Sequence, residues 1–137
     1  MAIGSSAMCG TFKREILAGI HFWTAHTRTG SSAISADTFK IAMFTNSASI
    51  DADTTGYTTS NEVSGTGYSA GGAALASVTL GLADNSSSVP TAFLDFADTT
   101  FSSSTISSAR GALIYNSTLS TAGTGSTTNH AADPAVA

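Results

Sequence analysis

A chain of 137 residues sets the scale of a single domain with one modest core. Its composition, 42% hydrophobic and 10% charged with a net charge of −4, is too apolar for a disordered chain and offers no basic patch for nucleic acid. Ser, Thr, Gly and Ala stand in for the missing charge, which suits a β-rich protein with many turns and a surface that is easily desolvated against neighbours.

Residues 1–10 are small and read as a flexible arm, with Ile3 and Met8 as its sizeable apolar groups. They lack the basic start and apolar run of a signal peptide, and no stretch approaches the roughly 18 apolar residues of a membrane span. Folding in the cytoplasm, away from membranes, is the expectation. Cys9 is the single cysteine, so no internal disulfide forms, and a reducing site of folding fits.

Thr11 to Ile20 has helical spacing. Thr11 is placed as N-cap, and Phe12, Ile16, Leu17 and Ile20 are predicted to form one apolar face that docks on the sheet. Gly19 weakens the end of this helix. In the following segment, His21 and His26 invite a metal reading. No third ligand stands at motif spacing, however, and His130 is far away in sequence, so the histidines read as surface or packing groups. Trp23 reads as a core or interface anchor.

Phe39 to Phe44 alternates cleanly and is the strongest strand. Asp51 and Asp53 resemble a fragment of a calcium loop. The ligand set is incomplete and no flanking helices appear, which leaves a solvated acidic turn. The centre of the chain, Glu62-Val63-Ser64-Gly65-Thr66-Gly67-Tyr68-Ser69-Ala70-Gly71-Gly72, is glycine-rich. It lacks the Lys-Ser/Thr ending of a phosphate loop, so it reads as a set of turns with Tyr68 dropping onto a core. Ala73 to Leu82 is a strand kinked at Gly81, Thr91 to Ala97 a second and Arg110 to Tyr115 a third. In Thr91 to Ala97, Phe93 and Asp95 share one face. A face that mixes an aromatic ring with a carboxylate suggests cover by a partner. Residues 118–137 are polar, and Asp133 to Ala137 looks like the lead-in to a strand that the sequence does not supply.

The predicted architecture is mainly β: an antiparallel sandwich or open barrel over residues 11–117, with one N-terminal helix. No nucleophile with a base and an orienting group emerges, nor a paired carboxylate. The reading is therefore a non-enzyme without cofactors. Ile3, Met8, Trp23, Phe93 and Asp95 are the candidate interface residues.

The segments Asp37-Thr38-Phe39-Lys40-Ile41-Ala42-Met43-Phe44, the glycine stretch from Glu62 to Gly72, Leu94-Asp95-Phe96-Ala97-Asp98 and Arg110-Gly111-Ala112-Leu113-Ile114-Tyr115-Asn116 follow one another in this order. Together they resemble a widespread group of small structural proteins of tailed bacteriophages. The resemblance implies a virion component, foremost a capsid cement or decoration protein that binds the major capsid protein as a homotrimer. A tail or tail-fibre-associated protein is the alternative within the group. A small carbohydrate-binding adhesin domain, served by exposed Trp23, Tyr57 and Tyr68, is the alternative outside it. Members of the group continue with further strands after the Tyr-Asn segment. The open edge expected here is one that another subunit or a longer natural product would cover.

Overall fold

The computed structural model describes residues 7–25, 33–83, 91–123 and 130–137. Ile3 and His26 lie outside them. Among the described residues one helix, α1 (Gly10–Leu17), precedes seven strands: β1 (Phe39–Thr45), β2 (Gly65–Thr66), β3 (Ala73–Ala74), β4 (Thr79–Ala83), β5 (Thr91–Asp95), β6 (Thr105–Ile106) and β7 (Ala109–Asn116). Pairing is antiparallel throughout, and the sheets do not close into a barrel. The fold is mainly β with one short helix, as the alternation predicts.

The helix differs from its expected form. Its N-cap is Cys9, in an extended conformation and without a side-chain cap. Thr11 lies inside the helix, and its buried hydroxyl has no hydrogen-bond partner. The buried face is Phe12 and Glu15, while Ile16 is half exposed and Leu17 is 91% exposed. The reason is the end of the helix. Gly19 takes φ +66°, its N–H bonds the Ile16 carbonyl, and Ile20 N–H bonds the Glu15 carbonyl. This pair of bonds is a Schellman cap, which needs a left-handed residue at that position. Gly19 therefore terminates the helix firmly. It folds Ile20 and His21 back onto Phe12 and Glu15, and leaves Ile16 and Leu17 outside.

The core is built on the β3–β1–β7 sheet. Register places Ala42 opposite Leu113 and Lys40 opposite Tyr115, so Ala42, Phe44, Leu113 and Tyr115 line one face. Phe39 points to the other, opposite Asn116. There Trp23 stacks on Phe39 at 4.0 Å, and Phe12 meets Trp23 edge-on at 5.8 Å. The end of the chain joins this block. Ala135 and Val136 are buried, Val136 N–H bonds the Ile114 carbonyl, and Cys9 N–H bonds the Val136 carbonyl at 2.9 Å. The packed unit thus reaches beyond residue 117 at one end and takes in Cys9 at the other.

The glycine stretch dresses the outer edge of β1. Val63 N–H bonds the Met43 carbonyl, Leu75 N–H bonds the Phe39 carbonyl, and Met43 N–H donates to the Tyr68 hydroxyl. The pair with β3 covers only Lys40 and Ile41 on this side of β1, and the loop satisfies amides beyond it that would otherwise invite unwanted pairing. Such close passage requires glycine. A Cβ at Gly72, where φ is +69°, would stand 1.8 Å from the Ile41 carbonyl oxygen.

Candidate association surface

Two polar clusters hold the frame from which the surface projects. In the first, Glu62 accepts from the Tyr57 hydroxyl at 2.6 Å, from the Tyr68 hydroxyl at 2.6 Å and from Gly71 N–H at 2.8 Å. Tyr115 stacks on Tyr57 at 4.5 Å and donates to the Gly71 carbonyl. Burial and the bond to Glu62 push the Tyr57 and Tyr68 phenols well above the ordinary tyrosine range. Burial, followed by the Asp133 and Glu62 charges, pushes Tyr115 up to about 12. The carboxylate works as a clamp: it holds Tyr57, Tyr68 and Gly71 together, and Tyr68 and Gly71 in turn bond Met43 of β1 and Tyr115 of β7.

In the second cluster, His21 Nε2 lies 2.9 Å from Glu15 Oε2, and its Nδ1 lies 3.0 Å from Asn116 Nδ2. Asn116 Oδ1 accepts from Thr118 N–H, and its Nδ2 donates to Asp37 Oδ2 at 2.7 Å, which fixes which way the amide points. Nδ1 of His21 must therefore accept, and Nε2–H faces Glu15. Glu15, His21 and Asn116 are all buried. His21 is thus a packing histidine that sutures α1 to β7. His130 bonds a neighbouring carbonyl, and Asp51 folds into a local turn by accepting from Asp53 N–H.

The aromatics of the adhesin alternative are engaged internally. Trp23 is half-buried under the stack on Phe39, and Tyr57 and Tyr68 have their hydroxyls on Glu62. A sugar-stacking platform needs an open ring face. Phe101 covers Tyr68 at 5.4 Å, and Tyr115 covers Tyr57.

Outside this frame stands the β4–β5 ribbon, a two-stranded sheet that pairs with no other strand among the described residues. Leu80 opposes Leu94 and Leu82 opposes Ala92, so these four side chains share one face. Leu80 is 51% exposed and Leu82 71% exposed. The other face carries Thr79, Phe93 and Asp95. Gly81 does not kink the strand. It sits opposite Phe93, and a Cβ there would stand 2.5 Å from the ring, so the glycine is a seat for the aromatic. The break predicted at Gly81 lies earlier instead, between β3 and β4, where Ser77 takes φ +53°.

Of the candidate interface residues, Phe93 and Asp95 are exposed together on this ribbon. Met8 is half exposed near α1, apart from them in sequence, and Trp23 packs into the core cluster. Leu80 and Leu82 read from the sequence as strand residues but not as interface residues. Their signal was the alternation Leu-Gly-Leu facing Leu94 and Ala92 across one register, which becomes visible only once the two strands are paired. A two-stranded ribbon is marginal by itself in water. Fully burying one such leucine is worth about 1.5–3 kcal/mol, so an apolar ribbon gains stability from a covering surface.

No helix among the described residues is long and apolar enough to cross a membrane. Comparison with protein-family models, with curated proteins and with solved structures yields no match.

Proposed function

We propose that this chain is a structural protein of a tailed-phage virion, a cement or decoration subunit that sits on the outside of the head. It would fold in the host cytoplasm, assemble as a homotrimer and bind the major capsid protein, with no role for nucleic acid, membrane or cofactor. The observation that carries the reading is the β4–β5 ribbon. It holds two exposed leucines on a pair of strands that pairs with no other described strand, beside a frame tied together by the Glu62 and His21 hydrogen-bond clusters. The order of the four sequence segments supplies the phage context.

A subunit repeated over a shell gains strength from many modest contacts acting together. The ribbon is suited to that role because its apolar side chains are available without unfolding anything else. The test is to add purified protein to undecorated heads and image them. Binding to the capsid surface by the wild type, lost in Leu80→Ser/Leu82→Ser, is the expected result. Density on the tail would move the protein to the tail-associated alternative. Particles left bare by the wild-type protein would sink the virion reading.

A further inference from the structure

We infer that the free edge of the ribbon, as distinct from its leucine face, pairs with a second copy of this chain, with β5 of one molecule adding to the uncovered edge of β7 in the next. The inference rests on the association reading above and names the contact that makes the oligomer. It begins with the outer edge of β7. Ile114 and Asn116 direct their N–H groups away from β1, to the carbonyls of Ala137 and Pro134, and Ile114 also accepts from Val136 N–H. Polar groups of alternate residues point the same way in an antiparallel strand. Ala112 therefore presents its N–H and its carbonyl on that side too. It is exposed, and no described residue pairs with it there. The terminal segment thus covers one half of the β7 edge, while no described residue pairs with the half near Arg110.

The same chain carries the complement. The ribbon has unpaired outer edges among the described residues, so it can supply a strand without surrendering a bond it already makes. Charge indicates which strand. Between Gly111 and Ala109 the register with β1 slips, and Arg110 is the extra residue of that bulge. Bulges re-aim side chains, and Arg110 is exposed with no ion-pair partner among the described residues. Asp95, at the C-terminal end of β5, is equally exposed and equally unpaired. Antiparallel addition brings the end of β5 to the start of the open half of β7, and so brings Asp95 to Arg110. Backbone pairing gives such a contact its affinity, and the opposite charges fix its direction. The contact is head-to-tail, because ribbon meets sheet edge rather than its own kind. Repeated, such a contact generates a ring where its rotation closes, and a trimer is one such ring.

Sedimentation velocity of the full chain over a range of concentrations tests this. The wild type should associate. Arg110→Glu and Asp95→Arg should each weaken association about tenfold by placing like charges together. The combined variant, in which the pair is restored with its signs exchanged, should return to within about threefold of wild type. Ala112→Pro removes the open N–H without altering a charge and should also weaken association at a temperature where circular dichroism shows the fold intact. A wild type that is monomeric at every concentration overturns the inference, as do charge variants that assemble like the wild type. Those results concern only the contact between copies. A protein that assembles through Arg110 and Asp95 yet leaves phage heads bare would instead overturn the virion reading alone.

Discussion

Between β1 and β7 the cross-strand pairs run from Phe39–Asn116 to Thr45–Ala109, and other parts of the chain cover the outer edge of β1 and half of that of β7. Between β4 and β5 they run from Thr79–Asp95 to Ala83–Thr91, and no third described strand pairs with them. The strands of the first pair are longer, seven and eight residues against five and five, but both pairs are antiparallel and alternate. What separates them is the material brought over them: the glycine stretch, the aromatic stack of Phe12, Trp23 and Phe39, and the terminal segment all converge on the first pair. Alternation decides which face a side chain takes, and the connecting segments decide whether that face is buried.

The sharpest way to break the covered pair is Gly72→Val. The new Cβ would overlap the Ile41 carbonyl, and a β-branched residue resists the left-handed backbone. We expect a loss of about 3–5 kcal/mol in urea unfolding, which is most of the stability of a small domain. An unchanged midpoint would show that the loop does not need to cross β1 at this point.

Glu62→Ala comes next. It leaves the Tyr57 and Tyr68 hydroxyls and Gly71 N–H without their shared acceptor. Hydrogen bonds to a charged acceptor suggest a cost of about 2–3 kcal/mol, moderated by partial access to water. A cost below about 0.5 kcal/mol would mean that solvent replaces the clamp.

Alkaline pH probes the same cluster. The chain has three tyrosines, and all three are held protonated beyond their ordinary range. In the unfolded chain the phenols titrate near 10, so up to roughly that pH both states keep their protons and the tyrosines add no slope. Between there and about 12 the unfolded chain binds fewer protons than the fold, so stability falls as pH rises. Phenolate absorbance should therefore appear together with unfolding, and a titration near pH 10 with native circular dichroism would contradict it.

The smallest effect belongs to the uncovered pair. Leu80→Ser/Leu82→Ser should change stability by no more than about 0.5 kcal/mol, because both side chains already face water. The single tryptophan reports on the core, so its emission should not move. A large loss of stability would show that the ribbon is packed into the domain after all.

Much of this division was legible beforehand. The β1 and β7 strands appeared where Phe39 to Phe44 and Arg110 to Tyr115 alternate, and Tyr68 did fall between the glycines onto its partner. The face of α1 was not legible. Spacing placed Ile16 and Leu17 inward, but the burial of Glu15 depends on His21 and Asn116, and nothing local in the sequence announces a partner 95 residues away from His21. Gly19 offered the one usable signal, since a glycine directly after a helical run ends it and reverses the chain. Phe93 and Asp95 were placed on the exposed strand, whereas Leu80 and Leu82 required the register of that strand with its neighbour.

The pairing of β1 with β7 has a consequence in time. Phe39 must wait for Asn116, and Cys9 for Val136, so nearly the whole chain has to leave the ribosome before the core can form. Contacts of such long sequence separation must overcome a large loop-closure cost first and fold slowly, on the order of milliseconds to seconds. The β4–β5 hairpin is local and has no such delay. During synthesis a nascent chain of this kind would show its leucine ribbon well before it possesses an interior. It would therefore meet chaperones, or its own siblings on the same polysome, with its stickiest part first.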